Sequence, residues 1–476
     1  MAKRTRSHMA VSVRLAIASV FVTAFSATAP AAAESMKSAV RHAIKTNPTG
    51  LARAAGTRAI AHDVEAARSE FNAKIDVFGE VGAQRVDNEN SLSASDNDRW
   101  RGARQVGVSA SYLLYDGYRR ANRLYREGAR LDGAVYGLLS TKETVALNAV
   151  EAYVDVVRHR DLIHIARRNI DRHIAIQRQI NARVEGGKSP TSDRFQIEER
   201  VFAARAVLVE IQKAYADAVA KYQKVVGRKP GRKMRIANAG KLPRSKEALV
   251  QRSIANNYSV QAAQKQINQN EYAVDAAEGE KLPELGVNGR ATWGGDRNGS
   301  RGTETDVYVG LRLSWRLYDG GVRDAQVGAA TARVTEARFQ LDERRRDVAE
   351  LARRSWNAYS DGRLRASLLS KQVEANKKIV RNYLEEYELS KRSLLDVLDG
   401  ERALFNTRFQ YQSVRAAYRF ATFRMKATQS RLAKFFGVSA GSIAPTPNVE
   451  NRLLNSGGDR PLSSQRFFNV NIEPLK

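Results

Sequence analysis

The sequence predicts a mixed β-barrel and all-α coiled-coil fold, with four amphipathic transmembrane strands per chain and long antiparallel helices in two structural repeats. Three observations predict it. Val309-Gly-Leu-Arg-Leu-Ser-Trp-Arg-Leu-Tyr-Asp-Gly-Gly321 alternates apolar and polar residues up to a Tyr-Asp-Gly, and Tyr112-Leu-Leu-Tyr-Asp-Gly-Tyr118 ends an earlier copy. Each copy runs into an unusually long helical pattern. Landmarks in the two halves also keep a constant register.

In the later strand Val307, Val309, Leu311, Leu313, Trp315 and Leu317 fall on one side. Tyr308, Gly310, Arg312, Ser314 and Arg316 fall on the other, the period of two that marks one apolar and one wet face. Read alone, this pattern fits a barrel strand leaving a membrane and an amphipathic strand of a soluble sheet equally well. If it is a barrel strand, Arg312 and Arg316 face the lumen. Asp319 stands where a helix N-cap belongs, with Gly320 and Gly321 easing the change of direction.

Residues 1–33 carry Lys3, Arg4, Arg6 and Arg14 and no acid, then the apolar run Leu15–Phe25 and the small-residue stretch Ala29–Ala33. This reads as a signal peptide cleaved near Ala33. Its apolar part is shorter than the ~20 residues that span a bilayer. No later stretch is apolar enough for a transmembrane helix, so any span made by the exported chain is β.

The chain then divides as follows. Residues 34–74 hold the first helices of repeat 1, with a turn at Asn47-Pro48. A hairpin occupies 75–116, its strands carrying Ile75, Val77 and Val81, then Val106, Val108 and Tyr112, with a polar loop between. Long coiled-coil helices fill 117–227 around a tip turn near 186–193, keyed by Tyr153, Ile170 and Ile180 and then by Val201, Leu208 and Tyr222. After a linker, 228–244, the plan recurs: first helices 245–282, hairpin 283–319, and long helices 320–437 with a tip turn near 390–396. The tail 438–476 lacks periodicity and reads as irregular or disordered.

Asn47 pairs with Asn257, and Ile75 with Leu285, at a shift of 210; Asp116 pairs with Asp319, and Asp193 with Asp396, at a shift of 203. Gly227 and Gly437 return to 210. The first hairpin loop is therefore seven residues longer than its counterpart, and the last helix of the second half is expected to be longer by one heptad.

Four strands are too few to close, since the smallest bacterial barrels have ~8 and an open edge in lipid leaves backbone groups unpaired. Two copies would supply eight strands and three would supply twelve. Gly117 to Glu185 extends ~100 Å as one helix, several bilayer hydrocarbon thicknesses, and carries Arg and Lys throughout. It runs outside lipid, folded back on a partner helix.

The net charge of +28 raises nucleic acid as a partner, but the positives are scattered along mixed-sign helices and no nucleic-acid motif appears. Cys is absent, which removes disulfides and thiolate metal sites. Gly187-Lys188-Ser189 resembles the end of a phosphate loop, yet Ala182 stands where such a loop needs Gly, and a helix precedes it. His159, His164 and His173 do not stack on one helix face. No catalytic, metal or cofactor site is expected.

The doubled Tyr-Asp-Gly junction, Asn47-Pro48 and above all Tyr387-Glu-Leu-Ser-Lys-Arg-Ser-Leu-Leu-Asp-Val-Leu-Asp-Gly-Glu-Arg-Ala-Leu-Phe405 resemble the TolC-like outer-membrane factor family across Ser35–Gly437. The resemblance implies a homotrimer with a twelve-stranded barrel among outer-membrane lipid and a helical tunnel through the periplasm. It implies two partners, a periplasmic adaptor (membrane fusion) protein and an inner-membrane ABC or RND-type transporter. It also implies that Asp396 and Asp399, one turn apart on a helix face, constrict the pore as rings of carboxylates. Tyr387, Arg392, Ser192 and Asp193 match the residues that hold such an entrance shut. The signature leans toward type I protein secretion, with multidrug efflux as the related route. Ser390 stands where the family usually has Gly, and Tyr258 where the first half has Pro48. The expectation from a different class is a periplasmic coiled-coil scaffold that conducts nothing.

Overall fold

The computed structural model describes residues 34–87, 99–296, 302–442, 444–445 and 447–455. The expected signal peptide, most of the first hairpin loop and the tail after Asn455 lie outside the described residues. Repeat 1 comprises α1 (Met36–Thr46), α2 (Pro48–Ser69), β1 (Lys74–Val86), β2 (Arg99–Tyr115), α3 (Arg119–Glu185) and α4 (Thr191–Val226). Repeat 2 comprises α5 (Lys246–Asn256), α6 (Tyr258–Gly279), β3 (Glu284–Gly295), β4 (Thr303–Ser314), α7 (Val322–Glu388) and α8 (Leu394–Thr428). The helices α9 (Leu432–Phe435) and α10 (Val449–Asn455) follow. Both α3 and α7 span 67 residues, ~100 Å each.

The two asparagines that mark the repeat do the same work in each half. Asn47 caps α2 by accepting from Thr49 N at 3.1 Å and donates to Val225 O at 3.0 Å. Asn257 caps α6 by accepting from Ser259 N at 2.9 Å and donates to Thr428 O at 2.9 Å. Each thus ties a short-helix corner to the end of a long helix. Tyr258 replaces Pro48 without consequence because the asparagine, not the residue after it, makes the corner.

The strands form one antiparallel sheet in the order β1-β2-β3-β4. The registers Val77↔Val108, Val108↔Ala291 and Ala291↔Val307 carry the apolar positions straight across. That face is bare in the single chain: Val77, Val309 and Leu313 are 74%, 75% and 68% exposed. Asp76, Ser109, Asn288, Arg290 and Arg312 lie on the other face, where Arg290 pairs with Asp306 at 3.2 Å. Trp315, Leu317 and Arg316 were expected to continue β4, but the strand ends at Ser314. The chain must leave the sheet there to enter α7, and Trp315 Nε1 turns to donate to Lys281 O at 3.1 Å.

An aspartate–arginine clamp, buried in the first repeat and half-buried in the second, makes each strand-to-helix transition. Asp116 accepts from Arg120 N at 2.9 Å and Nε at 3.1 Å, and Arg120 donates onward to Leu113 O at 2.9 Å and Glu70 O at 3.3 Å. Asp319 and Arg323 repeat it, with Arg323 donating to Glu280 O at 3.1 Å and to Arg316 O. Asp319 is therefore not the N-cap; Gly321 is, at φ +89°. The carboxylate still satisfies a first-turn N–H, reaching in from two residues earlier. At Gly117, with φ +65°, a Cβ would lie 2.5 Å from Gly279 O, so the turn admits only glycine.

The long helices lie in the order α4-α3-α8-α7, with α3 also packed on α2 and α6. Where α1 crosses them, Val40, Ile44, Val150, Tyr153, Tyr222, Phe423 and Phe436 close a core. The heptad expected to lengthen the last helix does not extend it. Helix α8 stops at Thr428, Ser430 turns at φ +52°, and the extra residues form α9. Glu143 of α3 draws that turn in, its carboxylate accepting from Leu432 N at 3.0 Å and Ala433 N at 3.1 Å.

The tail is likewise not irregular from residue 438. Asp132, fully buried on α3, accepts from Val449 N at 2.9 Å and Glu450 N at 3.3 Å. Glu450 in turn takes bonds from Lys265 at 2.6 Å, Asn268 at 2.8 Å and Tyr272 at 3.1 Å. These long-range polar contacts carry no periodicity, so α10 left no signal in the sequence.

Burial raises the Glu143 carboxyl from 4.5 to about 7. The folded chain therefore holds a proton that the unfolded chain has lost between those values, and stability falls as pH rises through the window. Glu143→Gln should flatten that slope by up to ~3 kcal/mol, read from melting midpoints in detergent between pH 4.5 and 7.

Candidate functional site: the helix tips

The two helix-helix turns farthest from the sheet come together. Ile176, Ile180 and Ile197 of the first pack with Tyr387, Leu394, Val397 and Leu398 of the second. Both turns close in the same way. Lys188 N donates to Arg183 O at 2.8 Å with Gly187 at φ +66°, and Lys391 N donates to Glu386 O at 2.8 Å with Ser390 at φ +56°. This is the left-handed C-terminal helix motif, and in the second turn a serine occupies the position suited to glycine.

The turns diverge at the start of the returning helix. Ser393 caps α8 in a reciprocal box with Asp396: Asp396 N donates to Ser393 Oγ at 3.2 Å, and Ser393 N donates to Asp396 Oδ2 at 3.3 Å. In the first turn the N-cap is Pro190, which has no side-chain acceptor. Asp193 therefore lies in the first turn of α4 with no box to join, and Ser192 beside it is exposed.

Asp396 and Asp399 lie one turn apart at the start of α8, as their spacing requires. The Asp396 carboxylate is committed to the capping box and lies 4.0 Å from Arg392. Asp399 is more open, 58% exposed at its side chain and 3.8 Å from Arg200 of α4. Arg392 donates to Glu386 at 2.9 Å and sits 4.4 Å from the Tyr383 ring centroid. Its partners within one chain are thus on its own turn.

Tyr387, buried between the tips, meets Ser189 Oγ at 3.3 Å. Arg183, which sequence reasoning passed over, covers its ring at 4.9 Å and donates to Ser390 Oγ at 3.3 Å and Glu388 O at 3.4 Å. Within the chain Arg183, rather than Ser192 or Asp193, fastens one tip to the other. Its signal was slight: a basic residue four before a helix-ending glycine is common at any helix C-terminus.

Among the described residues no group of His, Asp and Glu could hold a metal, and no helix is long and apolar enough to cross a membrane. A profile described as outer membrane efflux protein matches residues 39–228 and 249–433. The chain belongs to that family. It is an outer-membrane efflux duct with a periplasmic helical extension, of a family of channel proteins rather than enzymes. It is 24% identical over 407 residues to the outer membrane efflux protein BepC of Brucella suis, covering 84% of this chain and 87% of that one. It is also 24% identical over 302 residues to the alkaline protease secretion protein AprF of Pseudomonas aeruginosa, covering 60% and 61%. The solved outer membrane protein VceC of Vibrio cholerae shares the fold, with a TM-score of 0.72 at 14% identity over 85% of this chain and 96% of that one.

Ser390→Gly relieves the positive φ of the duct's second tip. It should stabilise the protein by about 0.5–1 kcal/mol less the weak Arg183 bond, a rise in unfolding midpoint measurable in detergent.

Proposed function

We propose that three copies close head to tail into a twelve-stranded barrel continued by a tunnel of twelve long helices. The observation that carries this reading is that both layers end in two bare edges. In the sheet these are β1 and β4. In the helical layer they are α4 and α7, and the exposed large apolar residues of the long helices concentrate there: Phe195, Phe202 and Val209 on α4, and Phe339, Leu364 and Leu368 on α7. Pairing β4 with the next β1, and α7 with the next α4, repeats without end until the ring closes. The exposed apolar face of the sheet supports a lipid boundary, which a periplasmic scaffold would not need.

In this ring Arg312 lines the barrel lumen and Arg316 the exit from β4. Asp396 and Asp399 of three copies form six carboxylates at the narrow end, favouring cations. Tyr387, Arg392, Ser192 and Asp193 hold neighbouring tips together, with Arg392 exchanging its own-turn partner for a carboxylate of the next copy. An adaptor docks at the tips and joins the duct to an inner-membrane ABC or RND-type transporter. The tip signature and the likeness to AprF favour type I protein secretion, with small-molecule efflux as the related route that the likeness to BepC supports.

Conductance in a planar bilayer tests this reading, and a silent protein that stays monomeric without detergent would overturn it. Arg392→Glu should raise closed-state conductance, since losing ~1 kcal/mol of linkage enlarges the open population about fivefold. Asp399→Asn should lower cation preference in reversal potentials measured across a salt gradient, and an unchanged preference removes Asp399 from the constriction.

A further inference from the structure

A strongly unbalanced charge lies at mid-height on the long helices. The linker after α4 carries Arg228, Lys229, Arg232, Lys233, Arg235, Lys241 and Arg244 and no acid. Arg160 holds it in place by donating to Gly231 O at 2.7 Å and Arg232 O at 3.1 Å, and Arg235 N donates to Tyr153 OH at 3.1 Å. It packs beside α1, which adds Lys37, Arg41 and Lys45. The acid at this contact, Glu34, is consumed by Arg228 at 2.7 Å and Gly231 N at 2.8 Å.

Behind the linker a cleft of about 370 Å³ opens between α3 and α8, lined by Arg158, Arg235, Arg415 and Arg419 against one acid, Asp161. That acid already accepts from Gln412. Arg158 keeps Nη2 on Asp155 at 3.5 Å and His159 at 3.3 Å, while its Nε is buried with no hydrogen-bond partner among the described residues. A buried donor left free in a cleft lined by four guanidiniums suits an anion such as a carboxylate, which Arg forks take in pairs of bonds.

We propose that this girdle binds the carboxylate-rich peptides of the cell-wall polymer, one carboxylate entering the four-arginine cleft while the linker cations follow the chain. The proposal rests on the duct reading for its place in the periplasm. Arg158 lies ~60 Å along α3 from the strand junction, far beyond the ~10 Å over which lipid headgroup charge is felt, so the membrane surface is out of reach. A second copy is an unsuitable occupant too. Its matching girdle would repel this one, whereas the apolar residues suited to copy-copy contact lie on α4 and α7.

The test is co-sedimentation of the detergent-solubilised full-length protein with purified insoluble cell-wall sacculi. The native chain should pellet at ~50 mM salt and be released by ~500 mM, the signature of many screened charges. Lys229→Glu/Lys233→Glu/Arg235→Glu, all on exposed linker positions, should bind about tenfold more weakly, and Arg419→Gln should weaken binding while leaving the linker intact. Equal pelleting of parent and variants overturns the proposal, as does binding indifferent to salt. Displacement by duplex DNA or anionic vesicles at lower charge concentration than by soluble wall fragments overturns the assignment to the wall. Bilayer conductance of the same preparations separates the two readings. Variants that conduct normally but lose the wall support the girdle, whereas silence of the native chain would strike the duct reading and leave the binding result to stand by itself.

Discussion

An amide without a partner in hydrocarbon costs several kcal/mol, and this constraint governs the rest of the structure. Each of β1 and β4 presents a row of such groups along its outer edge. No rearrangement inside one chain removes them, because four strands cannot curl into a closed barrel of any size proteins use. The proposed ring would pair these edges between copies, and the exposed apolar residues on α4 and α7 lie along the corresponding edges of the helical layer.

The Asp116–Arg120 and Asp319–Arg323 clamps connect the two levels. Each arginine bonds to a carbonyl at or just past the end of a strand, to the carbonyl that closes a short helix, and to an aspartate that also satisfies the first turn of a long helix. Sheet and helices are thereby joined through one bonded network at both junctions. At the far end the tips meet through a small apolar cluster, and the side-chain hydrogen bonds between them are longer, at 3.3–3.4 Å.

The two repeats have diverged at their tips. Pro190 and Ser393 occupy the same position in the two tips, but only serine builds a capping box, and only the second tip carries the carboxylate pair. Buried carboxylates elsewhere serve as anchors: Glu143 and Asp132 each accept two backbone N–H groups from the chain that follows α8. In this way the end of the described chain is fastened to α3 by polar bonds as much as by apolar packing.

Local pattern alone determined much of this protein. Period-two alternation placed the hairpins, helical spacing placed the long helices within a few residues, and the constant register from Asn47 to Gly437 exposed the duplication. These are legible because a strand or helix writes its buried face into neighbouring positions. The Asp396–Asp399 pair was legible for the same reason, being set by one helix turn. Only the tertiary structure decided that Asp319 works from outside the helix, that Trp315 leaves the strand, that the last heptad becomes α9, and that Arg183 fastens the tips. It alone gathered Arg158, Arg235, Arg415 and Arg419 from α3, the linker and α8 around one cleft. Each of those outcomes depends on partners tens to hundreds of residues away, and a contact between residues so far apart imposes no spacing that a single sequence can record.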